Sequence, residues 1–170
     1  MIRFTGLTFV LLRLISGSAT AEAPNLRTPS PVIYLADNLD EADKLGWCID
    51  TIGRGFAERL HAHSCKQRGG DVQFLFDPQT MQIKSVAFEA KCVELGPINE
   101  PLWLLDCSSA AAQQFEYSLN TGQITPVESP DMCLTVGERS RSAGPYMSRD
   151  LRFQQCDGAL AVRQAWVVAE

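Results

Sequence analysis

The stretch "GWCIDTIGRGFAERLHAHSC", Gly46 to Cys65, holds two cysteines, one aspartate and both histidines of the chain. Asp50 stands two residues after Cys48, while His61 and His63 stand four and two residues before Cys65. On a strand, His61 and His63 would point to one face, as two metal ligands must, with Asp50 or Asp71 as the third ligand. Cys65 beside His63 would be a nucleophile with its base only if the thiol were free. Asp50 and Asp71 would be a glycosidase pair only if they flanked a sugar bond. A fourth reading is one disulfide-closed loop of a repeating chain, whose polar residues line a binding pocket. The rest of the sequence separates these readings.

Six cysteines are present: Cys48, Cys65, Cys92, Cys107, Cys133 and Cys156. Met1–Ala21 has a basic start at Arg3, an apolar stretch "FTGLTFVLLRLI" and a small-residue exit "SGSATA". It reads as a secretory signal cleaved after Ala19-Thr20-Ala21. Arg13 interrupts the apolar stretch, which is far shorter than the roughly 20 residues a membrane span needs. An even cysteine count in an exported chain predicts three disulfides, with fifteen pairings open. Chain order favours neighbours, 48–65, 92–107 and 133–156, closing loops of 17, 15 and 23 residues. A loop of this size restricts the unfolded chain by about 3 kcal/mol. The formal net charge is −5, and losing Arg3 and Arg13 with the signal makes it −7. An acidic exported domain has no general attraction for nucleic acid or anionic lipid. The expected location is secreted or periplasmic.

The chain repeats three times. "WCIDT" (Trp47–Thr51), "KCVEL" (Lys91–Leu95) and "MCLTV" (Met132–Val136) share a cysteine, an apolar residue and a polar one, and their cysteines are 44 and 41 residues apart. "VQFLFDPQTMQI" and "QQFEYSLNTGQI" align without a gap, Phe74 on Phe115, and "RQAWVV" follows the last cysteine. "DPQT" and "LNTG" are hairpin-type turns between short β-branched or aromatic runs. Asn38–Gly46 reads as a turn-rich lead-in. Each unit is therefore predicted as a cysteine strand, a strand ending in cysteine, an aromatic strand and a further strand. Three such units bury their apolar faces only by closing on one another.

With Gln164-Ala165-Trp166 as a full Q-x-W, Gln113-Gln114-Phe115 as Q-x-F and Val72-Gln73-Phe74 as a degraded third copy, the chain resembles the ricin B-type lectin family. A second register would make Gln73-Phe74-Leu75 the motif; spacing to Ile83 favours Phe74. The resemblance covers Val32 to Val168 and implies an all-β β-trefoil with three intra-repeat disulfides. The expected organisation is signal 1–21, a Pro-rich linker 22–31 and a trefoil domain 32–170. The family also implies a sugar site in each repeat: an acid two residues after the first cysteine, an aromatic two before the second, a polar residue four before it, and an Asn before Q-x-W.

In the first repeat these positions are Asp50, His63, His61 and Asp71, so carbohydrate binding is expected there, with Asp50 accepting hydroxyls and His63 stacking. In the second they are Glu94, Leu105, Trp103 and Ala112, and in the third Thr135, Gln154, Arg152 and Arg163. Those two sets lack an aromatic or an acid where one is needed and are expected to be inactive. The third repeat also carries an insertion, Gly137–Ser148, with Arg139 and Arg141, followed by Arg149. An arginine-lined loop could bind an anionic glycan or an acidic protein, but a solvated charged loop is expected there. Trp103, Phe115 and Trp166 are expected in the core. A disulfide at Cys65 removes the thiolate, only two histidines exist, and no nucleotide-binding or hydrolase motif is present. No enzyme activity, metal or cofactor is therefore expected. The expected partner is a glycan or glycoconjugate. The alternative is a trefoil scaffold without sugar binding, serving as a protein-interaction or inhibitory module.

Overall fold

The computed structural model describes residues 22–67, 70–97 and 100–170; the expected signal, 1–21, lies outside them. The first repeat holds strands β1 (Val32–Leu35), β2 (Trp47–Thr51), β3 (Leu60–Ser64) and β4 (Phe74–Asp77). The second holds β5 (Gln82–Ser85), β6 (Lys91–Glu94), β7 (Trp103–Asp106) and β8 (Phe115–Tyr117). The third holds β9 (Ile124–Pro126), β10 (Met132–Val136), β13 (Leu151–Gln155) and β14 (Trp166–Ala169). Between β10 and β13 it inserts β11 (Arg141–Ala143) and β12 (Tyr146–Arg149).

Two kinds of antiparallel pairing recur threefold. Within repeats, β2 pairs β3, β6 pairs β7 and β10 pairs β13. Between repeats, β4 pairs β5, β8 pairs β9, and β14 pairs β1, so the first strand closes the body. This is the β-trefoil that the family resemblance implies, with β1 supplying the strand that the third repeat lacks after β14. The disulfides join 48–65, 92–107 and 133–156.

The hairpin registers are equivalent. Cys48 faces His63, Cys92 faces Leu105 and Cys133 faces Gln154. Two residues on, Asp50 faces His61, Glu94 faces Trp103 and Thr135 faces Arg152. Cross-strand partners project to the same face, and that face recurs every second residue. The spacing to each cysteine therefore gathers three of the four site positions of a repeat by strand geometry alone; the fourth lies outside the hairpin.

Phe74, Phe115 and Trp166, the aromatics of the three motifs, are almost fully buried in one core with Ile33, Ile49 and Leu134. Trp166 donates from its indole to the Leu134 carbonyl at 2.8 Å. Phe115 stacks on Phe153, ring centres 5.6 Å apart. Trp103 is only partly buried, at the start of β7.

Residues 22–31, expected as a linker, instead lie along the body. The Asn25 amide donates to the Lys44 carbonyl at 2.7 Å, and the Thr28 hydroxyl to the Lys66 carbonyl at 2.8 Å. Leu26 packs on a small apolar cluster of Val32, Cys48, Cys65 and Val72. Proline content suggests a tether; Leu26, the Asn25 amide and the Thr28 hydroxyl hold the segment down.

Gly122 ends the "LNTG" turn with φ of +70°, and its carbonyl accepts from the Trp166 amide at 2.7 Å. A Cβ there would lie 2.8 Å from the Trp166 carbonyl oxygen. Gly122→Ala is expected to lower stability by about 1–3 kcal/mol through φ strain and this backbone clash, read by urea denaturation with the disulfides intact.

Candidate functional site

The motif glutamines close two of the three repeats in the same way. In the second repeat, Gln113 Nε2 donates to Glu94 Oε2 at 2.9 Å and to the Asp106 carbonyl at 2.9 Å, and Gln113 Oε1 accepts from the Ser108 amide at 2.8 Å. In the third, Gln164 Nε2 donates to Thr135 Oγ1 at 2.9 Å and the Gln155 carbonyl at 3.0 Å, and its Oε1 accepts from the Asp157 amide at 3.1 Å. Each amide thus satisfies the polar residue two positions after the first cysteine and the backbone on either side of the second cysteine. Glu94 and Thr135 are engaged by these locks, and Leu105 and Gln154 supply no aromatic. In the second repeat half-buried Glu94 faces half-buried Trp103, while the position two residues before the second cysteine is Leu105; the third repeat has neither acid nor aromatic at these positions.

The first repeat cannot build this lock, because Val72 stands in the glutamine position and packs with the disulfide. Asp50 is still buried, with 1 % of its side chain exposed. A buried carboxylate needs a partner. Lys66, the residue after Cys65, provides it: its Nζ lies 2.9 Å from Asp50 Oδ2 and 3.1 Å from Asp71 Oδ2. His63 Nδ1 lies 3.0 Å from the Ser64 carbonyl, which marks it as the donor nitrogen, and 3.5 Å from Asp50 Oδ2.

The electrostatics follow from burial. Desolvation pushes the Asp50 carboxyl up to about 6, against the hydrogen bond and charge of Lys66, which pull it down. Burial works against the Lys66 ammonium, but its contacts with Asp50 and Asp71 outweigh this and hold its pKa above the usual lysine range. At neutral pH both members of the pair are ionised. Burial, followed by the charges of His63, Arg141 and Lys66, lowers His61 to about 4. Burial also lowers His63. Both imidazoles are neutral at pH 7.

A cleft of about 470 Å³ opens over this cluster. Arg54, His61, His63, Lys66 and Asp71 of the first repeat line it together with Gly144–Tyr146 of the third. Asp50 lies beneath Lys66. The four residues expected from sequence are therefore brought together, but not all as surface groups. His63 has only 7 % of its side chain exposed, so little ring face is open for stacking. The residues that sequence reasoning missed are Lys66 and Tyr146. The missing glutamine at Val72 was a signal for the first, since it left Asp50 without its amide. Tyr146 had none.

The third-repeat insertion is a hairpin, not a solvated loop. β11 and β12 pair across the two-residue turn Gly144-Pro145, and β12 then joins the edge of β3, Ser148 facing His63 and Arg149 facing Ala62. Arg149 is buried, sits 4.6 Å over the Trp47 ring, pairs with Glu41 at 3.3 Å and donates to the Glu138 carbonyl at 2.8 Å. Arg141 and Arg152 both bind Asp150, at 2.7 and 3.3 Å. Among the described residues, no group of three or more His, Cys, Asp or Glu side chains gathers as a metal site.

Two outcomes test this arrangement. Lys66→Met leaves Asp50 buried without its cation and is expected to destabilise the fold by about 3–5 kcal/mol, read by denaturant unfolding at pH 7. His61 in the folded chain titrates below its unfolded value, so the unfolded chain takes up the extra proton first. The stability it contributes is fully present above about pH 6.5 and drains away as pH falls towards 4. Asp50 acts in the opposite sense, because its folded pKa is raised: its ionisation removes stability as pH rises from the unfolded carboxylate value towards about 6. Comparing wild type with His61→Asn isolates the histidine. The variant is expected to lose less stability than wild type between pH 6.5 and 4, by roughly 3 kcal/mol at most.

Known proteins place this geometry. The ricin-type beta-trefoil lectin domain matches residues 80–170, the second and third repeats where the glutamine locks are intact. The search of curated proteins finds no match. Among solved structures, the chain is similar to the mdaA-1 domain, with TM-score 0.61, 12% identity, 87% of this chain and 96% of that one covered. It is similar to the cytolethal distending toxin from Actinobacillus actinomycetemcomitans, with TM-score 0.56, 22% identity, 83% and 92% covered. It is also similar to GalNAc-T7 solved with UDP, GalNAc and Mn2+, with TM-score 0.55, 19% identity and 78% of this chain covered. There it spans only 21% of the longer chain. At these identities the likeness is one of fold. The family match, the three disulfide-closed repeats and the two glutamine locks together make the chain a member of the ricin-type β-trefoil lectin domain family.

Proposed function

We propose that the chain is a carbohydrate-binding module whose glycan occupies the first-repeat cleft. One observation carries this reading. Buried polar atoms are nearly always hydrogen-bonded. Among the described residues, five buried side-chain polar atoms have no partner; two of them, His61 Nε2 and Asp71 Oδ1, belong to residues lining this cleft, and a third, Asp50 Oδ1, belongs to the carboxylate that Lys66 binds. A polyhydroxy ligand brings hydroxyls that donate to carboxylate oxygens and also accept from Lys66 or Arg54. Neutral His61 adds a polar atom without repelling such a ligand.

Family membership supports a sugar as the ligand class, and the three disulfides fit an oxidising compartment reached through the Met1–Ala21 signal. The solved structure of GalNAc-T7, named with GalNAc, makes N-acetylgalactosamine one sugar to include in a test. A second reading, a scaffold that binds protein and not sugar, is favoured by one feature: the carboxylate that a ricin-type site offers to hydroxyls is here held beneath Lys66.

An array bearing terminal galactose, N-acetylgalactosamine, N-acetylglucosamine, mannose, glucose and sialic acid separates the two. The oxidised protein is expected to retain at least one of these, and Asp71→Ala and His61→Ala are each expected to weaken retention by about tenfold or more. Asp50→Ala is the poorer probe, because it strips Lys66 of its buried partner. No retention by folded wild type would favour the protein-binding scaffold.

A further inference from the structure

We propose that Tyr146, carried by the third repeat, is the aromatic platform for the sugar held by the first, so that the site is built across two repeats. This inference rests on the proposed sugar site and adds a residue that the first-repeat pattern does not contain. A pyranose needs an exposed aromatic face for its C–H face. His63, at the expected stacking position, is buried and hydrogen-bonded to its own carbonyl neighbour. Its ring meets Tyr146 edge-on, at 5.6 Å and 62°, and both residues line the cleft, so the more exposed of the two rings there is Tyr146. Tyr146 is partly exposed and is the one phenyl-type ring lining that cleft among the described residues.

Tyr146 is also held in place, as a platform must be. The turn before it has Gly144 at φ of +65°, a value that suits a two-residue hairpin turn, with open space around the Cα. After it, the Met147 amide donates to Ser64 Oγ at 3.1 Å, and Ser64 Oγ donates to Asp43 Oδ2 at 2.7 Å. β12 then adds to β3, and Arg149 anchors the strand over Trp47. The ring is therefore fixed at a cleft of about 470 Å³ that Asp71 and His61 also line.

The same glycan array tests this with Tyr146→Phe, Tyr146→Leu and Asp71→Ala. Tyr146→Phe keeps the ring and is expected to bind within about threefold of wild type, whereas Tyr146→Leu keeps bulk but no π face and is expected to bind about tenfold or more weakly. Backbone amide shifts of Ser148 and Arg149 check that the hairpin stays paired in each variant. Full binding by Tyr146→Leu alongside loss in Asp71→Ala would overturn the platform and leave the sugar site standing. Retention of no glycan by folded wild type would overturn both. A hairpin that unpairs in Tyr146→Leu moves the decision to ring-current shifts of the bound sugar in wild type: upfield C–H signals support the platform, and their absence overturns it.

Discussion

Burying the Asp50 carboxylate is the constraint from which the first repeat takes its form. An unpaired charge in that position costs several kcal/mol. In the other two repeats a glutamine amide binds the residue at the equivalent position, half-buried Glu94 and buried Thr135, and also ties the backbone around the second cysteine. Val72 removes that amide. Lys66 replaces it, and Asp71 is drawn in as the second carboxylate of the same ammonium. The apolar patch that Val72 leaves beside the disulfide is covered by Leu26, and Thr28 takes the Lys66 carbonyl. One side-chain replacement is thus met by an ion pair on one side and by a docked N-terminal segment on the other.

The second organising contact is between repeats. β12 adds to β3, and the resulting six-stranded sheet runs β11-β12-β3-β2-β1-β14, joining the first and third repeats on both of its flanks. This breaks the threefold symmetry of the trefoil at one place. There, the third-repeat hairpin forms a wall over residues of the first, and a shallow strand face becomes a cleft. Arg149 holds the wall through packing and hydrogen bonds more than through charge: its pair with Glu41 is at 3.3 Å, while its guanidinium carbon lies 4.6 Å over the Trp47 ring and its nitrogens reach backbone carbonyls.

Much of the fold was legible because it is local and periodic. Cysteine spacing, the Q-x-[WF] positions and the hairpin turns lie within single repeats, and the strand register that gathers Asp50, His61 and His63 follows from period two. Asp71 was placed by its position before the motif. The roles were harder to read. His63 looks like a stacking residue in sequence, but its burial against Tyr146 and β12 is a property of the neighbouring hairpin. The pairing of Ser148 with His63 joins residues 85 positions apart in a segment whose Gly, Ser and Arg content reads as solvated loop. Residues 22–31 were misleading for a similar reason: proline density describes local stiffness and says nothing about the apolar patch that Val72 creates elsewhere.

The most direct test of the account is a crystal structure of the oxidised protein with the glycan that it retains best. The account predicts a sugar ring in the first-repeat cleft, hydroxyls on Asp71 and His61 Nε2, and its C–H face against Tyr146. A sugar bound instead on the second- or third-repeat hairpin, with the first-repeat cleft empty, would contradict it.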